Sequence, residues 1–462
     1  MNHGLASLSA VLKEDGHLVS LHHLSTREPE DNVVAEAMEA GADVVGFSFT
    51  TNQKKHIEKY SRAIFDKMET LQIAGGIHPT IAPLDALKTG LISGVCIGEG
   101  ERPLRELLKC IRDKKDFTHV PGFWWRLSDG HIVRNPIPPL DSEADRTPLP
   151  DYSIFDTKRI NSDNSGWAAM MLIRGCPYDC YYCCNHVLRS IYPNKKCYVR
   201  IPGAERAIDL IKHSLAYYDK VVGINFADDM LIYRREWLGK FTELYKVNIG
   251  LPYTCNCRIE HLSDEVLSTL RKSGCKTVYV GIESGNEWLR RNLLNRQHTN
   301  KEIVDCFKRI REHRMSVFAY NIVGFPFETA EQMKETLLLN KKAKPTSGVV
   351  FYFYPYPATR LFDICKEFDL LSDNMENLSG YLEGPAIKLT HCTERDCIRQ
   401  YNRMRLFLAS RSLASSLRLP EIFAKALSLL FNVSPEFWVG LMTKNSLFKY
   451  KVRKLFYRYR FR

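Results

Sequence analysis

The order of hydrophobic and polar positions follows two periods along most of the chain. Short apolar runs that end at glycine or polar residues are typical of buried strands, as in residues 43–48, 71–74 and 221–226. Between such runs, apolar residues recur three and four positions apart, which predicts amphipathic helices such as residues 104–111 and 204–213. Strands that alternate with helices form parallel sheets covered by helices. The pattern therefore predicts an α/β fold.

This alternation, and the places where it stops, divide the chain into four parts. Residues 1–113 are predicted to form an α/β domain, in which residues 18–24 are expected to be a strand. Residues 114–165 are rich in turns around one hairpin-like stretch and are predicted to be a linker with a small β element. Residues 166–375 contain six strand–helix units, which predict an open (β/α)6 barrel. Residues 376–462 are predicted to be a helical C-terminal region.

The composition of the 462-residue chain is that of a soluble globular protein, with 45% hydrophobic and 26% charged residues. The first residues do not form a secretory signal, and no apolar run reaches the roughly 18 residues that suggest a membrane span. Fourteen cysteines without such a signal indicate a reducing compartment, where thiols bind metals or pack as small hydrophobic groups. We therefore expect a cytoplasmic protein.

The excess of positive charge is concentrated at the C-terminal end. The formal net charge is +12, and residues 444–462 contain eight Lys or Arg and no acidic residue. Phe448, Val452, Leu455 and Tyr459 recur with helical spacing, so this segment is expected to be a basic amphipathic helix. Such a helix can lie on an anionic membrane surface, which makes peripheral contact with the inner membrane surface one expectation. It could equally cap the barrel or contact nucleic acid, although nucleic acid is not the expected partner.

The strongest candidate for chemistry is a group of three cysteines at the start of the barrel. Cys176, Cys180 and Cys183 follow the apolar run 170–173 with the spacing C-x3-C-x2-C, so the thiols are expected at the end of a buried strand. Three thiolates suit a 4Fe–4S cluster, which normally takes four cysteines, and would leave one iron open. The alternative is a zinc site, because His186 would complete a Cys3His tetrahedron.

The cysteine spacing, with the aromatic Tyr182 just before the third cysteine, resembles the signature of the radical S-adenosylmethionine (SAM) enzymes. In that family the open iron binds SAM, and one-electron reduction cleaves SAM to a 5′-deoxyadenosyl radical. The resemblance implies a 4Fe–4S cluster on Cys176, Cys180 and Cys183, and SAM as a second cofactor. It also implies an electron donor such as flavodoxin or ferredoxin as a partner.

The same resemblance covers most of residues 166–365 and implies contacts with SAM at several strand ends. A carboxylate after the strand 221–226 has a physical reason, because the ammonium group of SAM needs an acceptor. An aspartate that caps a helix would give the same local pattern. The implied contacts are Asp228 and Asp229 for the amino group, Glu283 and Ser284 for the ribose and methionyl ends, and Asn321, Val323 and Gly324 beside the adenine.

Three strand ends in residues 1–113 resemble the cobalamin-binding domain that precedes many radical SAM enzymes. The resembling stretches are 43–48, 75–80 and 97–101, and their glycines would let the backbone approach a large flat ligand closely. A doubly wound domain without a ligand would contain such glycines as well. The implied cobalamin contacts are Ser48, Thr50, Gly75, Gly76, His78, Gly98 and Glu99.

The cobalamin-binding domain of that family begins with a strand that is central in its sheet, whereas this sequence begins at the first helix. The expected fold is therefore a flavodoxin-like (Rossmann-like) domain that lacks its first strand, followed by a partial (β/α)6 barrel and a helical C-terminal region. A missing central strand leaves neighbouring strands with unpaired edges, which predicts weak cobalamin binding. No histidine lies where a lower axial ligand to cobalt would come from.

The two resemblances together imply a radical SAM enzyme that uses cobalamin to transfer a methyl group to an unactivated carbon. The expected substrate is a small molecule or a lipid-like molecule. Radical cyclisation, ring contraction or lipid-skeleton coupling without methylation are alternatives within the same superfamily. A non-catalytic iron–sulfur or membrane-surface binding protein is an alternative of another class, which the missing strand favours. No residue beyond the cofactor contacts is predicted to be catalytic.

Overall fold

The computed structural model describes residues 2–24, 28–141, 147–375, 378, 380–417, 419–433 and 438. The chain forms two compact units, each with one sheet. The first unit comprises Met1–Thr157, Arg174–Pro202 and Tyr356–Asp363. The second unit comprises Lys158–Ile173, Gly203–Pro355 and Ile364–Arg462.

Helices fill most of the chain between the strands and after the last strand. In chain order they are α1 (His3–Glu14), α2 (Glu30–Glu39), α3 (Lys54–Phe65), α4 (Ile77–Ile81), α5 (Pro83–Ala86), α6 (Glu101–Arg112), α7 (Thr157–Asp163), α8 (Asn185–Ser190), α9 (Ala204–Leu215), α10 (Arg235–Asn248), α11 (Asp264–Ser273), α12 (Asn300–Glu312), α13 (Ala330–Ala343), α14 (Arg360–Glu367), α15 (Glu394–Ser416) and α16 (Glu421–Val433).

Five strands form the sheet of the first unit. In sheet order they are β1 (Val44–Ser48), β2 (Leu71–Gly75), β3 (Gly94–Cys96), β4 (Phe123–Arg126) and β5 (Ile132–Arg134). β1, β2 and β3 are parallel, and β4 and β5 continue the sheet from β3 as an antiparallel hairpin. The hairpin that the sequence places in the linker is therefore part of this sheet.

Both faces of the first sheet are covered, because successive residues of its strands point into two different hydrophobic clusters. Ile73 and Cys96 pack with Leu107 of α6 on one face. Their neighbours Ala74 and Val95 pack on the other face, in a cluster that includes residues of α3 and α5. This two-sided burial explains why the strands are nearly continuous apolar runs.

Residues 18–24 do not form the strand that the sequence predicts, and Leu18 is fully exposed. A strand needs a neighbouring strand to pair its backbone N–H and C=O groups. β1 is the edge of the sheet and pairs with β2 alone, and none of the described strands borders residues 18–24. The prediction is wrong because the apolar pattern of this segment has no strand partner.

Six parallel strands form the curled sheet of the second unit. They are β6 (Trp167–Met170), β7 (Gly223–Phe226), β8 (Tyr253–Cys257), β9 (Cys275–Glu283), β10 (Ser316–Val323) and β11 (Ser347–Tyr352). Each strand lies beside the next one in the chain, and helices connect them. The partial (β/α)6 barrel predicted from the sequence is confirmed.

Alternate residues of β10 distinguish the two faces of this sheet. Val317, Ala319 and Val323 are fully buried, and Val323 packs in a hydrophobic cluster with residues of α13 and α15. We call this side the helix face. Phe318 and Tyr320, which alternate with them, are partly exposed on the opposite side, which we call the inner face. A ligand of a half-barrel has access to the strands only from the inner face and the strand ends.

The C-terminal region is helical, as predicted, with α15 and α16 described. A capping box of Thr393 and Asp396 starts α15, because each residue bonds a backbone N–H of the other. No helix in the described ranges is long and apolar enough to cross a membrane. The predicted basic amphipathic helix in residues 444–462 lies outside the described residues.

Candidate functional site

Three cysteines lie on a loop that begins and ends at one backbone bridge. Arg174 and Arg200 exchange two backbone hydrogen bonds, of 3.1 and 3.0 Å, and close the loop between them. Cys180 is buried, and Cys176 and Cys183 are partly exposed. We call residues 175–199 the cysteine loop. It follows β6, the first barrel strand, which is where the sequence places the thiols.

Contacts within the cysteine loop fix its shape. The Cys183 N–H donates to the Cys180 carbonyl over 3.0 Å, so two of the thiols sit on one turn. The Arg189 guanidinium donates to the Pro177 carbonyl and to the Asp179 carboxylate. The stretch between the first two cysteines is therefore held by a side chain of α8.

Gly175 is required at the start of the loop. Its φ is +86°, and a Cβ there would lie 2.6 Å from the carbonyl oxygen of Tyr198. Any other residue would be strained in this conformation and would also push Tyr198 away. The glycine before the first cysteine thus lets the two ends of the loop approach each other.

Cys176, Cys180 and Cys183 suit an iron–sulfur cluster. All three are present as thiols on one loop. In a 4Fe–4S cluster each cysteine binds a different iron, so the thiolates need not converge on one point. Three thiols on one loop therefore fit an iron–sulfur cluster.

Asp228 follows β7 and braces the chain that leaves β6. Its Oδ1 accepts hydrogen bonds from the backbone N–H groups of Leu172, at 2.8 Å, and Ile173, at 2.5 Å. Its Oδ2 is buried and has no hydrogen-bond partner within the described ranges. Burial raises the pKa of Asp228 to about 7, although the two backbone N–H groups act in the opposite direction. A buried oxygen without a donor fits a positively charged ligand group such as the ammonium of SAM.

Two further predicted SAM contacts are also carboxylates at strand ends. Asp229 is exposed beside Asp228. Glu283 ends β9 with a φ of +63°, a conformation that is uncommon for residues other than glycine and concentrated at functional sites. Its carboxylate folds back over Gly281, and Arg296 Nη1 lies 3.5 Å from its Oε1. Gly281 pairs with the inner-face residue Tyr320 of β10, and a Cβ at Gly281 would meet the Glu283 carboxylate, so this carboxylate lies on the inner face.

Ser284 is fully buried, and a buried arginine fixes its backbone. Arg290, in a π-helical turn over Leu289–Leu293, donates to the Ser284 carbonyl at 2.6 Å. It also donates to the His298 carbonyl and to the Asn300 side chain. Burial lowers the pKa of Arg290 to about 10. Sequence reasoning misses this residue, because nothing local distinguishes it from a surface arginine.

Asn321 and Val323 lie on the helix face of β10, not on the inner face. The Asn321 side chain accepts a hydrogen bond of 2.6 Å from Asn340 of α13, and Val323 is part of the core. The Gly324 N–H donates to the Glu328 carboxylate at 2.7 Å. These contacts fix β10 to its helix layer. Asn321 is paired in register with Glu283 on β9, but its side chain lies on the helix face and not on the inner face.

Glu328 is a buried carboxylate to which the sequence assigns no role. Its Oε2 accepts from the N–H groups of Gly324, at 2.7 Å, and Phe325, at 3.1 Å, while its Oε1 has no hydrogen-bond partner among the residues described. Burial raises the pKa of Glu328 to about 8. Glu328 thus repeats after β10 the arrangement that Asp228 shows after β7.

The inner face carries aromatic side chains on three neighbouring strands. Tyr279 of β9, Phe318 and Tyr320 of β10 and Phe351 of β11 contact one another in sequence, with ring centroids 5.1 to 6.4 Å apart. Tyr381 packs on Phe351 at 4.7 Å. We call these five residues the aromatic row. Their alternation with helix-facing residues is a period-two signal that the sequence contains.

The carboxyl ends of β1 and β2 form an edge of small residues. Ser48 and Gly75 are paired in register, and a Cβ at Gly76 would lie 3.0 Å from Ser48 Oγ. Ser48, Thr50 and Gly76 are exposed. His78, in contrast, is buried and its ring is hydrogen-bonded inside the domain at 3.1 Å. The edge fits a large flat ligand such as a corrin at the three exposed residues but not at His78.

The end of β3 is covered by the protein itself. A Cβ at Gly98, whose φ is +85°, would lie 2.3 Å from the Tyr192 hydroxyl. The Glu99 N–H donates to that hydroxyl at 2.9 Å, and the Glu99 carboxylate pairs with Arg174 and Arg200. Gly98 and Glu99, which the sequence assigns to cobalamin, are thus in contact with the cysteine loop.

Two family models match the chain. The B12 binding domain matches residues 2–108, and the radical SAM superfamily model matches residues 170–339. The chain therefore carries a B12-binding domain followed by a radical SAM domain. It is a radical SAM enzyme.

Relatives and solved structures agree with this assignment. The chain is 24% identical over 397 residues to an uncharacterized methyltransferase of Pyrococcus horikoshii, and the match spans 84% of this chain and 83% of the relative. It is 25% identical over 379 residues to the anaerobic magnesium-protoporphyrin IX monomethyl ester cyclase of Rubrivivax gelatinosus, and the match spans 78% of this chain and 65% of the cyclase. The structure of the cobalamin-dependent SAM radical enzyme OxsB matches with a TM-score of 0.69 and 15% identity, over 94% of this chain and 69% of OxsB, and shows the shared fold.

The cofactors that follow from the two domains are a 4Fe–4S cluster, SAM and cobalamin. The cysteine loop fits the cluster, Asp228 fits the ammonium group of SAM, and the edge at Ser48 and Gly76 fits a corrin. Weak binding of cobalamin stays a prediction.

Proposed function

We propose that the protein is a cobalamin-dependent radical SAM methyltransferase that acts on an unactivated carbon. The observation that carries the proposal is the presence, in one chain, of a three-cysteine loop after the first barrel strand and of an open small-residue edge in a B12-binding domain. The first fits a cluster that cleaves SAM, and the second fits a carrier of the methyl group. The similarity to a methyltransferase over 84% of the chain supports the same function.

The bound cofactors would supply a radical that removes hydrogen from the substrate and a methyl group that replaces it. The residues of the chain hold and orient these groups. Cys176, Cys180 and Cys183 would hold the cluster. Asp228 and Glu283 would accept hydrogen bonds from SAM, because both are carboxylates at strand ends and Asp228 has a buried oxygen without a donor.

The aromatic row indicates an apolar substrate. Aromatic rings cover carbon surfaces and stack on flat groups without requiring hydrogen bonds from them. Binding sites for small molecules are mostly apolar, with few polar groups that fix orientation. The substrate would therefore be a small or lipid-like molecule with a ring or hydrocarbon part.

The proposal is tested with protein reconstituted without oxygen and supplied with cobalamin, a chemical reductant or flavodoxin, a metabolite extract, and SAM labelled in its methyl group. Mass spectrometry should find 5′-deoxyadenosine and S-adenosylhomocysteine in equal amounts, with the label in one metabolite. 5′-Deoxyadenosine without S-adenosylhomocysteine would contradict methyl transfer. The absence of both products would contradict radical chemistry as well.

A second candidate function is radical cyclisation without methyl transfer. The observation that favours it is the similarity to an anaerobic cyclase over 78% of this chain. The two functions differ in the fate of SAM, because cyclisation does not consume its methyl group. The labelled-methyl experiment therefore separates them: a cyclised product would carry no label and would form without S-adenosylhomocysteine.

Peripheral contact with a membrane surface is proposed for residues 444–462 only. This segment contains eight Lys or Arg and no acidic residue. Each basic residue would add about 1 kcal/mol to the free energy of binding to an anionic surface. Cosedimentation with vesicles that contain about one third anionic lipid, compared with neutral vesicles, tests this contact. Equal binding of the full chain and of a chain that ends at residue 443 would contradict it.

A further inference from the structure

Both ends of the cysteine loop are tied to one carboxylate. Arg174 and Arg200, whose backbones close the loop, direct their guanidinium groups to Glu99 at the end of β3. The Arg174 Nη1 lies 3.3 Å from Glu99 Oε2, and Arg200 bonds to Glu99 Oε1. The Arg200 side chain is only 5% exposed, so little water replaces Glu99 if this partner is lost.

Arg174 extends this network to a second carboxylate and to the first helix. Its Nη1 lies 2.8 Å from Glu101 Oε1, and its Nη2 donates to Ser7 Oγ at 3.1 Å. Ser7 in turn donates to Glu101 at 2.8 Å. Ser7 of α1, Glu101 at the start of α6 and Arg174 at the base of the cysteine loop thus share one set of charge-assisted hydrogen bonds.

Tyr192 provides a third attachment, from the middle of the cysteine loop. Its hydroxyl accepts the Glu99 N–H at 2.9 Å and occupies the space above Gly98. The loop is therefore held at its start, its end and an interior point, and Glu99 takes part each time, with its carboxylate or its backbone.

We propose that Glu99, Arg174, Arg200 and Tyr192 are positioning residues for the cluster cysteines. The inference rests on the proposed function only in that the cysteine loop binds a cluster. A loop of this length has many conformations, and cluster binding requires three thiols in one of them. Charge-assisted bonds at both ends reduce that freedom before the cluster binds. Glu99 is thus an anchor for the cysteine loop, and its predicted contact with cobalamin stays a prediction.

The test uses Glu99→Gln in the full chain, which keeps the shape of the side chain and removes its charge. Hydrogen–deuterium exchange of the cluster-free protein should show exchange about tenfold faster at the backbone N–H groups of Arg174 and Arg200, because a charge-assisted bond contributes at least one order of magnitude. After reconstitution, a chelator should remove the cluster faster by a similar factor. The matched control is Glu106→Gln, a partly exposed carboxylate of α6 that pairs with Arg102 four residues away, and it should change neither rate.

Unchanged exchange and chelation in Glu99→Gln would overturn the proposal, and a loss of cobalamin affinity in the same variant would return Glu99 to its predicted role. The exchange measurement needs neither cluster nor SAM, so it fails or succeeds independently of the proposed enzyme activity. If Glu99→Gln does not fold, Tyr192→Phe removes one hydroxyl only. Exchange at Glu99 N–H should then rise about threefold or more, and an unchanged rate would contradict the third attachment.

Discussion

The carboxyl ends of the two parallel sheets follow one rule of α/β proteins and carry different chemistry. In the first sheet, the ends of β1 and β2 expose Ser48, Thr50 and Gly76, which are small and uncharged. In the second sheet, the ends of β7 and β9 carry Asp228 and Glu283, two almost completely buried carboxylates. The edge of the first sheet thus leaves room for a ligand, and the edge of the second sheet presents carboxylates to one.

This difference matches the two organic cofactors that the domains imply. A corrin is large and flat, and it gains affinity from contact area that small residues leave open. SAM is small and carries an ammonium group, so a few placed carboxylates can hold it. The common position at strand ends is a property of the fold, whereas the side chains at those ends decide which ligand binds.

The largest effect is expected for substitutions in the cysteine loop, because SAM bound at the charged edge is cleaved only if the cluster is present. Cys176→Ala, Cys180→Ala or Cys183→Ala should each abolish the 4Fe–4S cluster, because each removes one of three ligands. Iron and sulfide analysis after anaerobic reconstitution measures this. Cys184→Ala is the control and should keep the cluster, since this residue lies outside the C-x3-C-x2-C spacing. Full iron content in the Cys180→Ala protein would contradict the assignment.

The second effect tests the charged edge. Glu283→Ala and Asp228→Asn should leave the absorbance of the cluster unchanged and slow the cleavage of SAM about ten- to a hundredfold, as expected for loss of one charge-assisted contact. Chromatography of 5′-deoxyadenosine measures the rate. Glu265→Ala, an exposed carboxylate in the first turn of α11, should behave as wild type. Wild-type rates in both test variants would show that the carboxylates do not hold SAM.

The third effect is the cost of the buried charge at this edge. Burial raises the pKa of Asp228 to about 7, so the folded ligand-free protein keeps the proton that the unfolded chain loses near pH 4. Between these values the unfolded state binds fewer protons, and the free energy of unfolding falls as pH rises. Asp228→Asn removes this dependence. The variant should gain on the order of 4 kcal/mol relative to wild type between about pH 4 and pH 7.

Denaturant titrations of the cluster-free proteins at several pH values measure this gain. A difference between the two proteins that is independent of pH would show that Asp228 does not titrate in this range. Addition of SAM to reconstituted wild type should reduce the difference, because its ammonium group would partner the ionised carboxylate.

The smallest effect tests the open edge. Gly76→Ala places a methyl group 3.0 Å from Ser48 Oγ and should weaken cobalamin binding about fivefold, which corresponds to about 1 kcal/mol. Gly16→Ala is the control, because Gly16 has a similar φ of +86° and nothing within 4 Å of an added Cβ. Equal cobalamin affinity of the two variants, measured by absorbance titration, would contradict a corrin at this edge.

The sequence predicts the barrel and the cysteine loop because their signals are local. Apolar runs that end at glycine mark the strands, and three cysteines in eight residues mark the loop. The sequence shows less directly to which face of the sheet a side chain points. The alternation along β10 separates Asn321 from Tyr320, but only the packing of α13 reveals that Asn321 lies on the helix face.

Long-range contacts explain the remaining differences. Glu99 meets Arg200 across 101 positions of sequence, and no local pattern connects them. Residues 18–24 have a strand-like pattern, but none of the described strands lies beside them, which is a property of the sheet and not of the segment. In both cases contacts with other parts of the chain decide the structural outcome.

The most direct test of the central claim, that the three cysteines hold a cluster with an iron open to SAM, is Mössbauer spectroscopy of protein reconstituted with 57Fe. We predict the spectrum of a 4Fe–4S cluster in which the signal of one iron changes when SAM is added, because that iron has no cysteine ligand. A spectrum that does not respond to SAM, or a protein that binds zinc in place of iron, would contradict the claim.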